Sequence, residues 1–88
     1  MNTSLKELFD SAVTGSKLLS VKPSNEALLQ LYSLYKQATI GDATEEEAPA
    51  NPFDFVAKAK YSSWTEQKGK SNEAAMKEYV QLVEKLKS

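Results

Sequence analysis

Apolar residues recur along this chain at steps of three and four, and no segment shows the alternation of a strand. Leu5, Leu8, Phe9 and Ala12 set the first such run and predict a helix from about Ser4 to Gly15 or slightly beyond. Ser4 suits its N-cap, and Glu7 three residues on completes the pattern of a capping box. Gly15 is expected either to weaken the helix end or to mark a close helix contact. A second helix follows the Lys22-Pro23 linker, from about Ser24 to Ile40, with Leu28, Leu31, Tyr32, Tyr35 and Thr39 at helical intervals. Ser24 is placed to cap it, Glu26 favours its positive end, and Gly41 is placed to stop it.

Residues 42–54 read as a loop, with Glu45, Glu46 and Glu47 in a row and prolines at 49 and 52. The acidic run reads as a solvated segment, because the alternating ligand spacing of a calcium loop is missing. A third helix is expected from Phe53 or Asp54 to Gln67, with Gly69 just past it. Phe55, Ala59 and Ser63 form one stripe on it; Tyr61 and Trp64 lie along another, and Trp64 is expected in the core. The fourth begins near Ser71, with Glu73 in its first turn and Lys85 and Lys87 in its last. Met76, Tyr79, Val80, Val83 and Leu86 make its apolar stripe. The pattern predicts an all-α protein, a small helical bundle.

The 88 residues suffice for one domain, 1–88. A chain of this size buries roughly 60–65% of its unfolded surface, so its core is thin. Composition removes several kinds of chemistry. There is no Cys and no His, so thiolate chemistry, disulfides, the usual general base and the commonest zinc ligand are absent. No metal site and no catalytic residue is expected, and the chain does not read as an enzyme. A net charge of -1 argues against general nucleic-acid or anionic-membrane binding. No apolar run reaches the roughly 20 residues of a membrane span. The stretch MNTSLKELFD lacks the basic and long apolar regions of a signal peptide. The expectation is a cytoplasmic monomer without stable membrane insertion.

One face of the second helix stands out. Tyr32, Tyr35 and Lys36 fall at i, i+3 and i+4 and share it. A nucleotide base stacks on a tyrosine ring for roughly 1–3 kcal/mol, and a phenol and an ammonium serve a phosphate. Lys60, from the KAKY segment, is a candidate to join them. Taken on spacing alone, tyrosines in this pattern are more often half-buried packing residues whose hydroxyls reach water.

The residues quoted so far carry a resemblance. KPSNEALLQLYSLYKQATIGD, Lys22 to Asp42, and DFVAKAKYSSWTEQKGKSNEAAMKEYV, Asp54 to Val80, resemble the two signature stretches of the acyl-CoA-binding protein family, in the same order. The likeness runs from about Phe9 to Leu86. It implies a four-helix up-down-down-up bundle with a bowl that holds a long-chain fatty acyl-CoA ester. By position it implies that Tyr35 stacks on adenine and that Tyr32, Lys36 and Lys60 hold the 3′-phosphate. Lys17 would meet the polar part of the ligand, Tyr79 would close the site from the last helix, and Leu28 and Leu29 would lie near the acyl chain. The function implied is that of an intracellular carrier and buffer of these esters, with no cofactor beyond the ligand.

The chain departs from the family in three places. Val56 stands where many members carry a lysine beside the ligand, and Tyr61 replaces a usual tryptophan. The loop from Thr44 to Pro52 is slightly longer and carries three glutamates where a basic residue is common. Two other readings compete: a helical protein-interaction module whose groove takes an amphipathic helix, and a hydrolase built on carboxylates. Clustered tyrosine and lysine on one face favour the carrier, since a helix-receiving groove has no need of them.

Overall fold

The structure, a computed structural model, describes residues 4–87. The expectation drawn from the N-terminal stretch MNTSLKELFD lies in part outside these residues. Four α-helices and one short 3-10 turn make up the regular structure: α1 Leu5–Ser16, α2 Asn25–Thr39, the turn Glu45–Glu47, α3 Phe55–Thr65 and α4 Asn72–Lys87. No strand occurs among the described residues.

The helix starts follow from the caps. Ser4 Oγ accepts from the Glu7 N–H, Ser24 Oγ from Ala27, Asp54 Oδ1 from Ala57 and Ser71 Oγ from Ala74, each satisfying an amide that has no partner within its helix. At the other end of α2 the chain reverses at Gly41, whose φ of 108° is open to glycine at little cost. Its N–H returns to the Lys36 carbonyl. Two expectations need correcting. α3 ends at Thr65 rather than Gln67; Gln67 and Lys68 close the end with tighter i→i−3 hydrogen bonds before Gly69, whose φ is 89°. The acidic run is a 3-10 turn rather than irregular loop.

Helix directions follow from the contacts. Gly15, late in α1, lies against Val83 and Lys87, late in α4, so these two run parallel. The Asn72 amide, at the start of α4, donates to the carbonyls of Gln37 and Ala38 at the end of α2, so α2 and α4 are antiparallel. Asn25 and Leu28, early in α2, line one cleft with Phe55 and Val56, early in α3, and Trp64, late in α3, meets the Gly41 carbonyl just past the end of α2, so α3 runs along α2 in the same sense. The order is up-down-down-up, a four-helix all-α bundle.

The core belongs to three of the helices. Phe9 and Ala12 of α1, Leu31, Leu34 and Ala38 of α2, and Ala75, Tyr79 and Val83 of α4 form one buried cluster. α3 lies outside it, packed along α2 with Trp64 as its buried anchor. A polar lock joins the ends of α2 and α3. The fully buried Gln37 donates from Nε2 to Asp42 Oδ1 and to the Lys70 carbonyl, each at 2.8 Å. Asp42 Oδ1 also accepts the Gly69 N–H at 2.9 Å. That N–H, then the Gln37 amide, and more weakly Lys68, hold the Asp42 carboxyl below the usual aspartate range, against a small desolvation effect.

Candidate ligand-binding site

α2 presents Tyr32, Tyr35 and Lys36 because its opposite face is spent on Leu31, Leu34 and Ala38 in the core. The ammonium of Lys36 lies 5.8 Å from the Tyr32 ring centre, and that of Lys60, from α3, lies 5.4 Å from it. Two cations therefore flank one ring. Lys36 also lies 5.3 Å from the ring of Trp64, so the buried indole forms part of its seat. Neither lysine is within salt-bridge distance of a carboxylate among the described residues. Cation–π contacts of roughly 0.5–1 kcal/mol at exposed sites hold the two charges in place without neutralising them. The pair is poised for an anion.

Tyr35 is 41% exposed, and its covered side rests on Phe9 at 5.9 Å between ring centres, with planes 24° apart. A ring backed on one face and open on the other is a stacking platform. Phe9 is the residue the sequence reading missed here; its signal was only that of a core position on α1. Tyr79 lies deeper, 4% exposed, edge-on to Phe9 at 5.1 Å and tilted against Tyr35 at 6.4 Å. Its hydroxyl donates to Ser16 Oγ at 3.1 Å. The structure thus places Tyr79 as support behind Tyr35, within the core cluster. Lys17 is exposed at the C-cap of α1, next to Ser16.

Beyond Tyr32, toward the starts of α2 and α3, a cleft of about 420 Å³ opens between the two helices. Leu28, Leu29, Phe55, Val56 and Ala59 line it, with Asn25 and Lys60 at its edges. Leu28 and Leu29 are thus brought to one apolar surface. Phe55 and Val56 are 71% and 66% exposed, unusual values for large apolar side chains at the mouth of a cleft. Lys60 joins the two regions, since it borders the cleft and faces Tyr32. A flat ring, two unneutralised cations and an apolar trough lie in sequence along one seam. Lys17 is not among the residues that line the cleft; Tyr79 reaches the seam through Phe9 and Tyr35. No group of His, Cys, Asp and Glu suited to a metal occurs among the described residues, and no helix there is long and apolar enough to cross a membrane.

The family model described as Acyl CoA binding protein matches residues 6–83. Acyl-CoA-binding protein homolog 1 of Caenorhabditis elegans is 47% identical over 78 residues, covering 89% of this chain and 88% of that protein. The acyl-CoA-binding protein of Saccharomyces cerevisiae is 43% identical over 82 residues, covering 93% and 92%. The crystal structure of acyl-CoA-binding protein 2 from Oryza sativa superposes with a TM-score of 0.86 at 38% identity, covering 94% of this chain and 90% of that one. A match that extends over the helices, the polar lock and the tyrosine–lysine face together settles the assignment: this chain belongs to the acyl-CoA-binding protein family.

Proposed function

We propose that this chain binds long-chain fatty acyl-CoA esters and acts as an intracellular carrier and buffer of them in lipid metabolism. The observation that carries the reading is the pair of un-neutralised ammonium groups of Lys36 and Lys60 flanking Tyr32, directly beside an apolar cleft. That combination suits a ligand with a phosphate at one end and methylenes at the other. Tyr35 stacks on adenine; Tyr32, Lys36 and Lys60 hold the 3′-phosphate. Leu28 and Leu29 take the acyl chain, Lys17 meets the polar part of the ligand, and Tyr79 backs the adenine platform.

The energetics favour cooperation between the two ends. Stacking is worth roughly 1–3 kcal/mol per base. Each methylene withdrawn from water adds about 0.8 kcal/mol, so a long chain outweighs the base. Neither fragment alone binds as the ester does. The ligand leaves unchanged, so the role is carriage rather than catalysis, and we assign no metal or cofactor. The chain acts as a single domain, a cytoplasmic monomer, with no nucleic-acid partner and no stable insertion into a bilayer.

The test is a calorimetric titration with palmitoyl-CoA, with free CoA and palmitate as controls. Tight one-to-one binding of the ester with both fragments much weaker is expected. No binding of the ester would overturn the reading and return attention to a helical peptide as the occupant of the cleft. Steady release of free CoA thiol during incubation would revive the hydrolase.

A further inference from the structure

The acidic run Glu45–Glu47 does not line the cleft. It follows a hydroxyl residue, giving the string Thr44-Glu45-Glu46-Glu47. Thr44 holds the N-cap position of the 3-10 turn, yet its side chain makes no capping hydrogen bond. In this it differs from Ser4, Ser24 and Ser71, whose oxygens each accept a backbone N–H at the start of an α-helix. Ser63 and Thr65 are committed as well, donating to the carbonyls of Leu29 and Ser62. Thr44 is exposed and extended, with φ -108° and ψ 161°. Its own carbonyl is held from both sides, by the Glu47 N–H at 3.1 Å and the Tyr61 hydroxyl at 2.9 Å. A free hydroxyl on an anchored, extended segment, followed by three carboxylates, matches what a kinase with a basic substrate groove selects by charge.

We propose that Thr44 is a phosphoacceptor for an acidophilic serine/threonine protein kinase, and that its phosphorylation weakens the hold on the anionic ligand. In the transfer, Thr44 Oγ1 attacks the γ-phosphorus of ATP. The bond from that phosphorus to the bridging oxygen breaks and ADP leaves. The hydroxyl proton passes to the kinase's base. The product carries a charge of about -1.5 to -2 at neutral pH. It lies on the segment bonded to Tyr61, the residue after Lys60, so it adds negative potential in the neighbourhood of that lysine. The second half of the proposal rests on the carrier reading; the first does not.

The experiment treats the full chain with a purified acidophilic kinase and ATP, maps the phosphate by mass spectrometry, and titrates both forms with palmitoyl-CoA. One phosphate on Thr44 is expected, abolished by Thr44→Val and strongly slowed by Glu46→Lys with Glu47→Lys. Ester affinity of the phosphorylated chain should fall by about two- to fivefold at low salt, with the gap narrowing as the Debye length shortens. No incorporation, or incorporation on a capping serine, overturns the acceptor assignment. Incorporation on Thr44 with unchanged affinity overturns the coupling. If the unmodified chain binds no ester, the carrier reading and the coupling both fall, while a phosphate mapped to Thr44 still supports the acceptor assignment.

Discussion

The indole N–H of Trp64 donates to the carbonyl of Gly41 across 2.8 Å, tying α3 to the turn that ends α2. Because α3 has no share in the main core cluster, this bond and the buried ring are much of what fixes its position. Trp64→Phe keeps an apolar ring but leaves the carbonyl without its donor. It should cost about 1–2 kcal/mol, read as a lower Tm of roughly 4–8 °C per kcal/mol. Amide exchange should rise first in α3.

Asp42 gives the fold a dependence on acid. Its carboxyl titrates below the usual aspartate range when folded, mainly because the Gly69 N–H and the Gln37 amide bond to its charged form. The unfolded chain therefore binds this proton first. The stabilisation is complete above the unfolded value of about 3.9 and is lost as pH falls through the lower folded value. Asp42→Asn should lower Tm at neutral pH. The difference from the parent should shrink steadily below about pH 4. A difference independent of pH would remove the charge from the account.

Lys36→Gln keeps much of the stem over Trp64 and removes the cation; Lys60→Ala removes the other. A charged hydrogen bond contributes about 1.5–3 kcal/mol, so each change should weaken palmitoyl-CoA binding by roughly tenfold or more. Helical content by circular dichroism should stay the same. Affinity for palmitate should not follow.

Tyr35 and Tyr79 should separate on substitution. Tyr35→Ala removes the open platform and should weaken ester binding by roughly tenfold. Tyr79→Phe keeps the ring against Phe9 and loses only the bond to Ser16, so it should lower stability by about 1 kcal/mol. A strong loss of ester affinity in Tyr79→Phe would instead place that hydroxyl on the ligand.

Val56 lines the cleft, at the position where the family resemblance implies a lysine. Val56→Lys should raise ester affinity about three- to tenfold at low ionic strength, with most of the gain lost in high salt. An equal gain at all salt concentrations would point to packing rather than charge.

The helices were legible because their marks are local: serine caps, glycine stops and a 3.6-residue period. Tyr32, Tyr35 and Lys36 were legible as one face for the same reason. Less was visible where the cause lies far along the chain. That Phe9 backs Tyr35, or that Trp64 underlies Lys36, depends on how α1 and α3 meet α2, and no spacing within one helix encodes it. Ala75 is fully buried yet fell outside the expected stripe, since a single methyl is a faint signal in a periodicity. Phe55 shows the reverse case. It read as part of a helix stripe with Ala59 and Ser63, and the structure leaves it at the surface along the cleft.

The lock of Gln37, Asp42 and Lys70 changes what the string YKQATIGD means. Tyr35 and Lys36 face the candidate site, while Gln37, Gly41 and Asp42 join the ends of two helices, Gly41 by accepting the Trp64 indole N–H. One short word thus carries two independent messages, one about architecture and one about cargo. A descendant that lost Tyr35 and Lys36 should keep most of its signature while its hold on the ester is much weakened. The letters to read for cargo in any such sequence are the first two, together with the tyrosine three places before them.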